Sequence, residues 1–177
     1  MTETFRTGVV VGNPKPGSRT YQAALRLATE LTGAEPGLAI DLADLGARLL
    51  DWNDAGIAET VEAVRRLDLL VVASPTYKAT YTGLLKLFLD RFPNNALEGV
   101  VAVPLMLGAG PGHALAPEAY LRPVLSELGA SIPTRALYLL DSAYADPDAF
   151  EPWLSASRDR IIAAISQPAR ATEAAAT

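Results

Sequence analysis

An open α/β sheet, doubly wound with five parallel strands and helices on both faces, is the architecture predicted for this chain. Apolar runs and amphipathic segments alternate along its whole length. The run Val9-Val10-Val11 is β-branched without polar interruption, as expected of a strand covered on both faces. Loops follow the apolar runs at Gly12, Ser74 and Gly108, where the carboxyl ends of parallel strands place ligand-binding loops.

The elements follow in order. After the Val9–Val11 strand, Tyr21, Ala24, Leu25, Ala28 and Leu31 recur at helical spacing, and Gly33 stops that helix. Residues 38–42, Leu-Ala-Ile-Asp-Leu, read as a second strand, and 44–56 is the least regular stretch. Ile57, Val61, Val64 and Leu67 mark a helix that leads into a third strand at 69–73. The segment 84–92 is apolar nearly all round, the mark of a helix buried on more than one side, in a core or at a subunit contact. A fourth strand spans 100–107. Leu121, Val124, Leu125 and Leu128 define the next helix, and Pro123 within it removes a backbone donor and predicts a kink or bulge. A fifth strand spans 136–140, and Phe150, Trp153, Leu154, Ile161, Ile162 and Ile165 give a closing helix. Right-handed crossovers put these helices on both faces.

Bulk properties narrow the function. The 177 residues are 50% hydrophobic and 20% charged, which suits one domain over 1–167 with a frayed, disordered alanine-rich tail at 168–177. A net charge of -5 supplies no basic stripe, so no nucleic-acid partner is expected. The absence of cysteine excludes a thiolate nucleophile and sulfur-bound zinc, and the single histidine, His113, excludes a multi-histidine metal site. Asp41, Asp44, Asp51 and Asp54 fit no calcium loop and read as solvated turn residues. No apolar run approaches the roughly 20 residues of a membrane span, and the amino terminus lacks the apolar core of a secretory signal. A cytoplasmic protein without membrane contact is expected.

Three loops carry the chemistry. In Gly12-Asn13-Pro14-Lys15-Pro16-Gly17-Ser18-Arg19-Thr20, the outer glycines match the spacing of a nucleotide-binding P-loop, but its Lys-Ser/Thr pair is missing, which disfavours a nucleoside triphosphatase. Two readings remain: Ser18 or Thr20 simply caps a helix beside a solvated Arg19, or hydroxyls, guanidinium and helix amino terminus together hold an anion. In Ser74-Pro75-Thr76-Tyr77-Lys78, Tyr77, with Tyr81 beyond it, either stacks on a flat ring or packs in the core. Gly108, Gly110 and Gly112 either let backbone approach a planar ligand or form a plain turn. His113 either serves as an acid or base or is a hydrogen-bonding loop residue, and no nucleophile-elbow serine accompanies it.

These residues resemble a known family. Gly12-Asn13-Pro14-Lys15 with Ser18-Arg19-Thr20 resembles the Gly-Ser-Pro-Arg…Ser-Arg-Ser/Thr phosphate loop of NAD(P)H-dependent FMN reductases. Residues 74–86, Ser-Pro-Thr-Tyr-Lys-Ala-Thr-Tyr-Thr-Gly-Leu-Leu-Lys, are similar to the family's Pro-x-Tyr-Lys-x-x-Tyr-Ser-Gly-x-Leu-Lys signature. Pro104-Leu105, the 108–113 loop and Arg122-Pro123-Val124-Leu125 continue the match in order, within a span from Val9 to Leu140. The nearest branch resembles the reductases that supply reduced flavin to alkanesulfonate monooxygenases. Two departures stand out: Asn13 replaces the usual serine, and Tyr120 in Glu118-Ala119-Tyr120-Leu121 is displaced by one place from that branch's tyrosine.

The resemblance implies a flavodoxin-like sheet of order 2-1-3-4-5, FMN, and NADPH or NADH as hydride donor. It implies no catalytic side chain, because the cofactor carries the chemistry, and no metal. The phosphate falls to Ser18, Arg19 and Thr20, with Asn13 and Lys15 nearby. Pro75, Thr76, Tyr77 and Lys78 line the flavin ring, Gly108, Gly110 and Gly112 approach it, and His113 closes that end. A homodimer or homotetramer through the Leu84–Phe92 helix is implied, with a flavin-dependent monooxygenase as partner. The alternatives are an FMN-bound quinone, azo or metal-ion reductase, or a flavodoxin-like electron carrier.

Overall fold

The computed structural model describes residues 5–166; the predicted tail at 168–177 lies outside the described residues. Strands β1 (Thr7–Val11), β2 (Leu38–Asp41), β3 (Leu69–Pro75), β4 (Val101–Gly108) and β5 (Leu137–Leu140) form one parallel sheet in the order β2-β1-β3-β4-β5. This is the architecture the sequence predicts. Every residue of β1, β3 and β4 is buried, because successive side chains enter two different cores.

Helices α1 (Arg19–Thr32) and α6 (Glu151–Ile165) cover one face, where Ala24, Leu27, Leu154 and Ile161 pack on Val9, Val71 and Val103. On the other face α3 (Ala55–Arg65), α4 (Gly83–Leu89) and α5 (Arg122–Glu127) pack Ile57, Phe88 and Leu125 against Val10, Leu70 and Val72. At the sheet order's switch between β1 and β3, Gly12 N–H donates to the Ala73 carbonyl at 2.8 Å. Loops leaving these two neighbours therefore emerge side by side.

The fourth and fifth strands are shifted or shortened by one residue, and larger differences from the sequence reading lie elsewhere. Leu42 opens a short helix, α2 (Leu42–Leu45), instead of ending β2, because the Asp41 carboxylate accepts the Ala43 N–H and caps it. A 3₁₀ turn, Gly46–Leu50, then occupies part of the stretch that showed no period. β3 runs on to Pro75. α4 stops at Leu89, four residues before Pro93. Its Leu85, Phe88 and Leu89 are buried within the subunit together with Phe92, while Leu87 is exposed and Leu84 half-buried.

The bulge expected near Pro123 is a π turn, Pro117–Leu121, in which the Arg122 N–H returns to the Pro117 carbonyl. Pro123 follows directly and lacks the donor an uninterrupted α-helix would use. Arg122 anchors this irregularity: its guanidinium donates to the Thr134 and Ile132 carbonyls at 2.6 and 2.9 Å and to Glu118 at 3.4 Å. Among the described residues no helix is long and apolar enough to cross a membrane.

Candidate active site

The loop after β1 is built from the inside. Asn13 is buried; its side-chain amide donates to Thr20 Oγ1 at 3.2 Å and its carbonyl accepts the Lys15 N–H at 2.9 Å. Gly17, at φ +59°, turns the chain and donates its N–H to Asp41 Oδ2 at 2.9 Å. Ser18 caps α1, accepting from Tyr21 N–H at 3.2 Å. Thr82 closes the loop from beneath: its hydroxyl donates to the Gly12 carbonyl at 2.5 Å and accepts the Leu85 N–H at 3.1 Å.

Ser18, Asn13 and Thr20 are thus engaged within the protein. The Arg19 and Thr20 N–H groups at the start of α1 have no intrahelical partner, and Lys15 and Arg19 point outward. The first turn of α1 contains no acidic residue. A helix amino terminus with two exposed cations favours an anion.

The loop after β3 leaves the sheet differently. Ser74 Oγ accepts the Thr82 N–H at 3.0 Å, and Thr76 N–H donates to the Leu107 carbonyl at 2.6 Å. Tyr77 and Thr80 then exchange both backbone hydrogen bonds, at 2.9 and 3.2 Å, around Lys78 and Ala79. Both central residues have positive φ, +51° and +72°, the signature of a type I′ hairpin turn normally made with glycine or asparagine. Tyr77 is 51% exposed, so of its two readings the core one is ruled out; Tyr81 is half-buried against the α4-side core.

The loop after β4 is a backbone wall. A Cβ on Gly108 would lie 2.0 Å from the Tyr138 hydroxyl, whereas Gly110 and Gly112 face open space. Tyr138 donates to the Gly110 carbonyl at 2.6 Å. Burial pushes its phenol above the ordinary 10.0, and the Asp141 charge adds to the rise although the nearby Thr76 side chain opposes it, so the proton needed for this bond stays in place. The buried Thr76 hydroxyl makes no well-formed hydrogen bond itself. Pro111–His113 is a 3₁₀ turn and His113 is exposed. A cleft of about 460 Å³ runs between Ala79 and the 111–116 segment, with Tyr120 at its edge. A larger cavity, about 680 Å³ around Arg6, Gly33 and Leu67, lies at the opposite end of the sheet, away from all three loops.

The structure brings every predicted site residue to the carboxyl end of the sheet and adds five. Asp41, Ser74 and Thr82 hold the first two loops, Tyr138 holds the third, and Asp141 faces Arg19. Asp41 corrects the reading of its aspartate group as solvated turn residues, being only 8% exposed. Asp41 and Asp141 end β2 or immediately follow β5, and that position was the available signal. Asp51 and Asp54 do act as turn and cap residues, accepting the Asn53 and Ile57 N–H groups.

Comparison with known proteins places this geometry. A family model described as NADPH-dependent FMN reductase matches residues 5–145. The chain belongs to the NADPH-dependent FMN reductase family. It is 42% identical to an FMN reductase (NADPH) of Escherichia coli K12 over an alignment that takes in 54% of this chain and 50% of that protein. It is 29% identical to the NADH-dependent FMN reductase SfnF of Pseudomonas putida, over 93% of each. A crystal structure of NADH:FMN oxidoreductase (EMOB), apo form, superposes with a TM-score of 0.81 at 32% identity, covering 93% of this chain and 92% of that one.

The residues present fit FMN. The donor-rich start of α1 suits its phosphate, and the open backbone at Gly110 and Gly112 suits a flat ring. The buried Thr76 hydroxyl, beside the Tyr138 phenol, makes no well-formed hydrogen bond among the described residues and supplies a polar atom to the site.

Proposed function

We propose that this chain reduces FMN with NADPH or NADH and releases the reduced flavin for a flavin-dependent monooxygenase. The observation that carries the reading is the convergence of an anion-favouring helix start, an exposed tyrosine hairpin and a side-chain-free wall at the ends of β1, β3 and β4. FMN, when bound, supplies the hydride-accepting ring, so the protein needs no acid or base of its own. Arg19, Lys15 and the α1 N–H groups hold the phosphate. Tyr77 and the backbone of 75–78 and 108–112 orient the ring, with His113 closing the far end. Their contribution is alignment of two flat reactants at reacting distance.

Assembly is part of the proposal. A second copy of the chain packs on the exposed face of α4, where Leu87 is exposed and Leu84 half-buried. Trp52 is 68% exposed and is stacked by Arg91, which follows Leu87 by one turn.

The test is turnover with and without excess free FMN. Sustained NADPH or NADH oxidation that saturates with added FMN supports a reductase that releases its product. A flavin that stays bound and turns over only with a quinone, azo or metal-ion acceptor supports the alternative reductase. A flavin that neither nucleotide bleaches under anaerobic mixing leaves an electron carrier. Arg19→Ala is expected to weaken FMN binding about tenfold, the scale of one charge-assisted phosphate contact, measured by flavin fluorescence titration.

A further inference from the structure

Arg19, the cation assigned to the phosphate, already has an anionic neighbour. Its Nη1 stands 3.5 Å from Asp141 Oδ2, with the two side chains 61% and 41% exposed. Asp141 is fixed at the sheet edge by its own N–H, which donates to the Gly108 carbonyl at 2.9 Å. Among the described residues its carboxylate makes no other hydrogen bond or ion pair. No acid sits in the first turn of α1, so the counter-charge for Arg19 comes from the end of β5, across the mouth of the site.

We infer that Asp141 competes with the flavin phosphate for Arg19 and sets how tightly the phosphorylated flavin is held. This rests on the phosphate assignment above. A dianionic phosphate approaching Arg19 meets a guanidinium that already faces a carboxylate, and that carboxylate repels it. Riboflavin has the same ring and no phosphate, so Asp141 does not act on it. Asp141 is thus a positioning residue for flavin exchange: it lowers the hold on the phosphate without touching the ring. For an enzyme that releases reduced flavin, a partly offset phosphate grip favours release over retention.

The experiment titrates FMN and riboflavin by fluorescence into the wild type, Asp141→Asn, Asp141→Ser, Arg19→Ala and the Arg19→Ala/Asp141→Asn double variant, each at low and high salt. Thermal melting confirms that each variant is folded. Asp141→Asn and Asp141→Ser are expected to tighten FMN about three- to fivefold, the reach of a partly exposed charge pair. Riboflavin affinity should stay unchanged. The gain should appear mainly as slower FMN dissociation, shrink at high salt, and fall when Arg19 is absent. FMN affinity that is unchanged or weaker in both Asp141 variants overturns the inference, as does equal tightening of riboflavin. In either case, if Arg19→Ala still costs FMN and spares riboflavin, the phosphate assignment stands. Arg19→Ala that costs neither flavin overturns the assignment and the inference together.

Discussion

The loop after β1 and the hairpin after β3 sit side by side at the carboxyl end of the sheet, yet they are fastened by opposite means. The first is tied down by buried side chains, Asn13 to Thr20 within the loop and, from two other parts of the chain, Asp41 to Gly17 and Thr82 to Gly12. The second is a hairpin that closes on itself, with two non-glycine residues at positive φ and Tyr77 exposed. One side is rigid through long-range hydrogen bonds; the other carries local backbone strain of about 1–2 kcal/mol per left-handed residue. A phosphate presents the same shape whatever the flavin's oxidation state, so its holder can be fixed. A ring platform that must admit a second flat reactant gains from staying open. The contrast predicts that mutations of the buried ties on the first side cost stability, and mutations of the hairpin on the second cost binding.

The largest expected effect comes from Gly12→Ala. The added Cβ would lie 2.4 Å from Leu85 Cβ and 3.0 Å from Leu85 Cα, so α4 must move away from the end of β1. Overpacking against a helix backbone should cost about 3 kcal/mol or more, read as a lowered midpoint in urea unfolding. Thr82→Ala comes next. It removes the cap of α4 and leaves the buried Gly12 carbonyl unpaired, a loss of about 2–3 kcal/mol. A loss under about 0.5 kcal/mol would show that the first loop does not depend on its long-range ties.

Tyr138→Phe probes the wall after β4, on the far side of the hairpin. Losing the bond to the Gly110 carbonyl should cost about 1 kcal/mol near neutral pH. The pH dependence has a definite sign. The folded phenol sits above its ordinary 10.0 because it is buried, so above pH 10 the unfolded chain loses that proton first. Stability contributed by the protonated phenol is full below pH 10 and is lost as the pH climbs toward the folded value. Tyr138→Phe should therefore flatten the alkaline decline in unfolding free energy. A decline as steep in the variant as in the wild type would place its origin elsewhere.

The sheet was legible because Val9–Val11, Leu69–Ala73 and Val100–Leu107 are apolar runs bounded by glycine or loop residues, a signal that burial on both faces imposes directly. The short helix α2 was not, since four residues hold no period and its cap, Asp41, looked like part of an acidic turn. The site loops were legible by place, because ligand-binding loops of an open parallel sheet follow the carboxyl ends of its strands, and by type through the family motifs they carry. The partners of those loops were not. Nothing local to Asp41, Thr82 or Asp141 says that residues 24, 70 and 122 positions earlier in the chain will meet them. Such ties are set by strand order, which brings β2 and α4 beside the first loop and the end of β5 across from it. The π turn was foreshadowed by Pro123, but its anchor was hidden, because Arg122 bonds backbone carbonyls that any sequence would offer.

The smallest effect on stability, and the sharpest on the comparison, is expected from Ala79→Gly. Glycine relieves a left-handed conformation worth about 1 kcal/mol and adds unfolded-chain entropy worth about 0.4–1 kcal/mol in the other direction, so the unfolding midpoint should barely move. Binding should respond, because a freer hairpin no longer holds Tyr77 ready. FMN and riboflavin should both weaken by about threefold, the cost of re-ordering one small turn. That equal loss would separate the ring side from Arg19→Ala, which should discriminate between the two flavins. A midpoint lowered as far as in Thr82→Ala would instead show that the hairpin, like its neighbour, is a structural part of the sheet's carboxyl end, and the division between a fixed phosphate side and an open ring side would fail.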